Sequence, residues 1–336
     1  MSRSQTSSQS PNQRVASALN AAHLMLQYVG NDIKTAALDE RANSMLRHDC
    51  KNLTFGLEQI GLLISNMAVG LADKAGLDLA KSTNWAEQNQ AMVNPANTFT
   101  TLVVGDANKM AVIAAKNIVA ASAQSPNLLF VTGGIGMGKT HLLQALFNEL
   151  DAVVPDAKML YLDAEQFVHD VVIAYRQGNQ FELQARFNAL DVLLFDDINR
   201  LSDKCRSQAE LLQIIDQLLA RNTRIVFAGS QAPSALTGFD ESLVFRFDAG
   251  LVVNLVSPCV AMRTEIVKAK AIAAGINLPD EVVGLLAQTY PKDVRSLEGA
   301  LHKVVAYGLA QKDVFTLEMA RKAIHPASDA SSLNAS

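Results

Sequence analysis

The sequence predicts an α/β fold, a parallel doubly wound sheet followed by a smaller helical part and preceded by an all-helical N-terminal segment. Three observations carry the sheet. A glycine-rich loop, Gly133-Gly134-Ile135-Gly136-Met137-Gly138-Lys139-Thr140, joins an apolar strand-like run to a helix-like run. A second apolar run, Val192-Leu193-Leu194-Phe195, ends in the carboxylate pair Asp196-Asp197. A third, Arg224 to Ser230, is apolar through Ile225-Val226-Phe227-Ala228. Continuous apolar runs of this length suit strands buried on both faces.

Taken along the chain, residues 1–13 are rich in Ser and Gln and read as a disordered tail. Residues 14–81 read as a helical interaction or dimerisation domain. Val15, Leu19, Ala22, Leu26 and Val29 recur at helical spacing, and Gly30-Asn31 breaks the pattern before a second helix from Asp32 to about Met45. Leu53, Leu57, Ile60, Ile64, Met67 and Leu71 form a seam spaced alternately four and three residues apart, as in a coiled coil or a tight helical hairpin. Gly56, Gly61 and Gly70 weaken that helix in isolation, so packing must hold it. Either an intramolecular bundle or a dimer satisfies the seam, and its partner is unknown. His48, in His48-Asp49-Cys50-Lys51-Asn52, reads as a solvent-facing residue near a helix terminus. It also faintly resembles the phosphate-accepting histidine of histidine-kinase dimerisation domains. Residues 82–93, polar and containing Trp85, read as a linker ending at Asn94-Pro95.

The glycine-rich loop fits G-x-x-x-x-G-K-[ST] in full. In that pattern backbone N–H groups cradle phosphate oxygens, Lys139 meets the β/γ-phosphates and the Thr140 hydroxyl holds Mg²⁺. The helix-like run from His141 to Leu150 adds its positive end. Two carboxylates at a buried strand end are costly without a counter-charge. Either they cap the next turn, or Asp196 holds Mg²⁺ and Asp197 orients the attacking water. Ser230 ends the third strand near where a γ-phosphate would lie. Arg246, between Phe245 and Phe247, and Arg295, at a helix start, are either ion-paired surface residues or site residues.

From Asn94 to Ile324 the chain resembles the ATPase region of the bacterial replication initiator DnaA, an AAA+ P-loop NTPase. The stretches that carry this are Asn94-Pro95, Thr98-Phe99 and Val103-Val104-Gly105, then Gly133 to Leu143, Val192 to Ile198, and Arg295 to Leu301. Phe315-Thr316-Leu317-Glu318 is similar to the family's last lid strand and helix. The resemblance implies a base over 94–256, a helical lid over 257–325, joined near Ser257-Pro258, and a disordered tail over 326–336. It implies ATP and Mg²⁺ at the seam, contacted by Val104, Gly133, Gly136, Gly138, Lys139, Thr140 and His141. Asp196 joins Thr140 at the metal. Catalytic roles fall on Lys139, Asp196, Asp197, Ser230 as first sensor, Arg246 reaching a neighbouring subunit's ATP, and Arg295 sensing the γ-phosphate in cis. The stretch from Glu165 to Phe187 is similar to the initiator-specific helical insertion that favours an open filament. Val172, Lys204 and Arg206 fall at family contacts to single-stranded DNA. From the residues alone they are equally a helix-face valine and two solvated bases.

The chain departs from the family at Ser230-Gln231, where Asp-Arg is usual, and at Ser242, where another arginine is usual. The family's C-terminal helix-turn-helix domain is expected to be absent. The implied function is a DnaA-like ATPase of replication initiation or its regulation. ATP drives its self-assembly into an oligomer or filament, and hydrolysis is a slow switch. The alternative is an Hda-like regulator, or an adaptor of helicase-loader type that works through protein contacts with an initiator or helicase.

Composition is compatible with this. The chain has 336 residues, 49% hydrophobic and 18% charged, with net charge −4. It has no dense basic run for sequence-independent duplex binding. Cys50, Cys205 and Cys259 are scattered and suit a reducing cytosol. No leader or 18-residue apolar run stands out, so membrane insertion is not expected. A cytoplasmic, nucleoid-associated bacterial protein is the expectation.

Overall fold

In a computed structural model of the chain, residues 89, 92–120, 126–311 and 315–324 are described. The expected N-terminal helices, His48, the tails at 1–13 and 326–336 and most of the 82–93 linker lie outside them. A helix α1 (Lys109–Ala120) leads into a strand β1 (Leu128–Gly133), the loop and α2 (Lys139–Val153). Next come β2 (Met159–Asp163), α3 (Ala164–Gln177), α4 (Gln180–Asn188) and β3 (Val192–Asp196). After them follow α5 (Cys205–Ala220), β4 (Arg224–Gly229), α6 (Glu241–Asp248) and β5 (Leu251–Leu255). Four further helices close the order: α7 (Val260–Ala273), α8 (Asp280–Thr289), α9 (Val294–Gln311) and α10 (Leu317–Ile324).

The five strands are parallel where they pair and lie in the order β2-β3-β4-β1-β5. Side chains alternate between faces. Phe130, Leu160, Leu162, Leu193, Phe195, Ile225 and Phe227 pack beneath α3 to α6. Leu129, Val131, Tyr161, Leu194, Val226 and Ala228 pack beneath α1 and α2. β1, β3 and β4 are interior, which is why their sequences are apolar throughout. The edge strand β5 exposes Leu251 and Val252, and its burial alternates from Val252 to Leu255. Helices α7 to α10 enclose a separate core around Val267, Val282, Leu286, Val304 and Ala320.

Local signals set the ends. The Asp163 side chain accepts from the Gln166 N–H and starts α3, and Gly178, at φ 72°, stops it. Pro279 stands at the N-cap of α8, and Pro291 follows its C-cap residue Tyr290. Two expectations need correction. Phe315-Thr316 forms no strand: Thr316 Oγ1 accepts from the Met319 N–H at 3.3 Å and caps α10 instead. The end of the expected linker is packed, because Asn89 and Val93 are each 8% exposed. Among the described residues no helix is long and apolar enough to cross a membrane.

Candidate active site

β1 ends at Gly133 and α2 begins at Lys139, and the backbone between them takes φ 75° at Gly136 and 92° at Gly138. A side chain is strained at such angles. A Cβ on Gly138 would meet nothing within 4 Å, so its φ alone demands glycine there. A Cβ on Gly136 would also come within 2.8 Å of Asp293 Oδ1. Gly138 is the N-cap of α2 and offers no side-chain cap, so the helix's first N–H groups are left for an anion.

Lys139 folds back over the loop. Its Nζ donates to the Gly133 carbonyl at 2.7 Å and the Gly134 carbonyl at 2.9 Å. Burial lowers its pKa, the charges of Asp196 and Asp197 oppose that, and Arg295 adds to it. Thr140 Oγ1 donates to Asp196 Oδ2 at 2.7 Å, joining the first turn of α2 to the end of β3. Asp196 is 6% exposed. Its Oδ1 accepts the Asp197 N–H at 2.9 Å. Asp197 itself turns into the left-handed region at φ 53°, and its Oδ2 accepts Arg200 Nε at 2.6 Å.

The helical cluster reaches the loop directly. The Val294 N–H donates to the Gly136 carbonyl at 2.9 Å. Arg295 follows at the start of α9, and its Cβ lies 3.1 Å from where a Gly136 Cβ would stand. Asp293 orients this helix end by accepting the Ser296 N–H at 2.7 Å and the Ser296 hydroxyl at 2.9 Å. On the other flank, Val103 packs on the helical core, Val104 is half exposed, and a Cβ on Gly105 would lie 3.0 Å from Met262 Sδ. His141 Nε2 lies 3.3 Å from the Thr98 carbonyl and 3.3 Å from Thr101 Oγ1. Burial lowers its pKa, and the Thr98 hydrogen bond opposes that.

An open cleft of about 680 Å³ beside the loop is lined by Thr132, Gly133, Gly134, Met137, Ser230 and Ser257, among others. Ser230 sits where β4 ends, and its N–H donates to Asn199 Oδ1 at 2.5 Å. Arg246 is apart from this group: its Nε donates to Asp216 Oδ1 at 2.5 Å on α5. Val172 is 39% exposed on α3. Tyr175, one turn further on, carries the Arg206 guanidinium 4.7 Å above its ring. Lys204 is exposed at the N-cap of the same α5 that bears Arg206. The loop residues, Thr140, Asp196 and Arg295 therefore converge, whereas Arg246 and the Val172–Arg206 face lie elsewhere.

The residues present fit a nucleotide and a hard divalent cation. An uncapped helix start and a half-buried ammonium bonded to carbonyls suit phosphate. A threonine hydroxyl held on a buried carboxylate is an oxygen donor set for Mg²⁺. Sequence reading missed Tyr161, Asn199, Arg200 and Asp293. Only Asp293 left a local signal, the capping spacing to Ser296. The others act through the fold.

Residues 93–254 match the family model described as the bacterial DnaA ATPase domain. The chromosomal replication initiator protein DnaA of Leptothrix cholodnii is 42% identical over 236 residues, which is 70% of this chain and 46% of that protein. The chain spans about half the length of the curated relatives it matches. Domain III of the Thermotoga maritima initiator superposes with TM-score 0.66 at 32% identity, covering 70% of this chain and 98% of that one. A DnaA bound to AMPPCP and single-stranded DNA superposes with TM-score 0.60 at 30% identity, over 66% of this chain and 69% of that one. The T. maritima RuvB branch-migration motor, at 17% identity and TM-score 0.52, shares the AAA+ fold. With a glycine-rich loop and an acidic strand end in one arrangement, and with a solved DnaA domain 32% identical and covered to 98% of its length, this chain belongs to the DnaA ATPase-domain family.

Proposed function

We propose that the chain is a DnaA-like ATPase of replication initiation or its control, with a base over 94–256 and a lid over 257–325. The observation that carries this is the convergence of Lys139, Thr140 and Asp196 beneath a lid helix whose Val294 N–H bonds the loop at Gly136. ATP is the nucleotide that the reading assigns, because relatives at this similarity include a DnaA bound to its analogue AMPPCP. Bound Mg²⁺ would supply charge neutralisation between phosphate oxygens. The chain's own residues do the rest. Gly136 and Gly138 let the backbone approach the phosphates, and α2 presents its uncapped N–H groups. Lys139 exchanges its two carbonyl partners for phosphate oxygens, and Thr140 and Asp196 form the oxygen set. Asp197 orients water once Arg200 releases it. Ser230, fixed by Asn199, stands at the strand end as a neutral sensor, and Arg295 reports the γ-phosphate to the lid. His141 and Val104 border the nucleotide's base side.

Arg246 serves a neighbouring chain. Its position on α6, away from its own loop, supports a trans role, which makes assembly depend on ATP. Val172, Lys204 and Arg206 form the single-strand contact. The Arg206–Tyr175 stack supports this, since such a stack is a platform for bases. Titrating single-stranded DNA into the full chain with ATP and with ADP, at two salt concentrations, tests the reading. ATP-dependent, salt-sensitive binding with growing mass is expected. Arg206→Ala should weaken that binding several-fold and leave ATP affinity unchanged. No DNA binding in either state would favour the second reading, an Hda-like regulator or helicase-loader-like adaptor. Ser242 supports that reading: it is exposed in the first turn of α6, where the resemblance leads one to expect an arginine.

A further inference from the structure

Asp196 is held from three sides. Besides the Asp197 N–H on Oδ1 and Thr140 on Oδ2, its Oδ2 accepts the Tyr161 hydroxyl at 2.8 Å. Tyr161 is 3% exposed. It lies on β2, where Asp163 pairs with Asp196 and Tyr161 with Leu194. Residues two apart share a face of a strand, so the phenol runs along the sheet to the carboxylate. The hydroxyl is the donor and the carboxylate the acceptor in this bond.

β2 is an edge strand, and an open edge leaves backbone groups unpaired. Asn89 closes it beside Tyr161. Its Nδ2 donates to the Met159 carbonyl at 2.8 Å, and its Oδ1 accepts the Tyr161 N–H at 2.9 Å. A primary amide has one donor and one acceptor on the same side and can replace a strand's peptide group. Both bonds are buried.

We infer that Tyr161 is a positioning residue that orients the Asp196 carboxylate toward a divalent cation shared with Thr140, and that Asn89 fixes the strand from which it does so. The inference rests on the nucleotide-site reading of the loop. Without the phenol, Thr140 alone orients Oδ2, and the carboxylate gains freedom to rotate. Partners behind a metal ligand commonly govern metal affinity as strongly as this.

The test uses the full chain, a fluorescent ATP analogue and a Mg²⁺ titration, with analogue affinity in EDTA and Tm measured alongside. Tyr161→Phe should keep its EDTA affinity and raise the Mg²⁺ midpoint by about tenfold. Asn89→Ala should shift the midpoint the same way by less. In an Asp196→Asn background, Tyr161→Phe should add no further shift, since both changes act on one interaction. An unmoved midpoint with a lowered Tm would make the hydroxyl merely structural and overturn the inference, as would a full additional shift in the Asp196→Asn background. An unmoved midpoint in Asn89→Ala would overturn the part given to Asn89. If wild type bound the analogue equally with and without Mg²⁺, the cation-site reading would fall and the inference with it. A wild type that responds to Mg²⁺ beside a Tyr161→Phe variant with the same midpoint would sink the inference alone.

Discussion

Glu210 lies on α5 with 2% of its surface exposed, and its oxygens accept Gln184 Nε2 at 2.7 Å and the Tyr175 hydroxyl at 3.3 Å. Burial raises its pKa, and the two hydrogen bonds only partly oppose this. A carboxyl whose folded pKa is raised binds its proton more tightly folded than unfolded. Its favourable contribution is therefore complete below the unfolded value and is lost as pH rises through the folded one. Above the unfolded value Glu210 therefore contributes less to the fold than it does in acid. The Gln184 Oε1 close by has no partner among the described residues, so an amide at position 210 would offer it a donor. Glu210→Gln should gain about 1–2 kcal/mol at pH 7.5, read as a Tm higher by a few degrees. The gain should shrink steadily toward pH 4.5. An equal gain at both ends of that range would show that packing, not ionisation, is responsible. The same site bears on function, because Tyr175 spans from Glu210 to the Arg206 guanidinium. A polar seam inside the α4–α5 contact thus sets the aromatic platform of the proposed DNA face.

At the scale of elements, the start of α9 couples the helical cluster to the loop. Asp293 caps that helix, while the next residue bonds the Gly136 carbonyl and the one after is Arg295. Asp293→Ala should cost about 1 kcal/mol of stability, the usual cost of an N-cap. It should also lower hydrolysis several-fold, because Arg295 loses its aim. Asn caps as well as Asp, so Asp293→Asn should restore both melting temperature and turnover. If Asn restored only the melting temperature, the carboxylate's charge, not the cap, would matter at the site. Which elements the sequence announced follows from the same physics. β1, β3 and β4 are interior strands, and burial on both faces writes itself into uninterrupted apolar runs. The loop and Asp196-Asp197 were legible because phosphate binding demands glycine, lysine and carboxylate at fixed positions. β2 and β5 lie at the sheet's edges. β5 is exposed at Leu251, Val252 and Asn254 and carries no such mark, whereas Met159-Leu160-Tyr161-Leu162 is apolar and buried but has no glycine-rich loop or carboxylate pair after it to single it out. The Asn89–Tyr161–Asp196 path was invisible because each link joins residues far apart in the chain, and only the strand order brings them together.

For the molecule as a whole, the separation of Arg246 from the loop is the decisive feature. Within one chain the guanidinium pairs with Asp216, both groups being partly exposed. An exposed pair of this kind is worth little, so a neighbour's phosphate can displace it at small cost. Phe245, 67% exposed beside it, leaves an apolar surface available at the same place. If Arg246 acts in trans, Arg246→Ala should bind ATP as wild type does yet lose hydrolysis and assembly together. The loss should amount to a factor of ten or more, given what an arginine contributes to phosphoryl transfer (about 10³–10⁵). Concentration dependence alone would not separate this from damage to α6. Mixing does. A Lys139→Ala chain has an intact Arg246 but a crippled loop, and an Arg246→Ala chain has the reverse. At a joint between them, the loop of one meets the arginine of the other. Mixed at high concentration with ATP, the two inactive chains should hydrolyse more than the sum of their separate rates, with a maximum at intermediate ratio. An arginine acting within its own chain would leave the mixture at that sum whatever the ratio, because no pairing could then unite a working loop with a working Arg246.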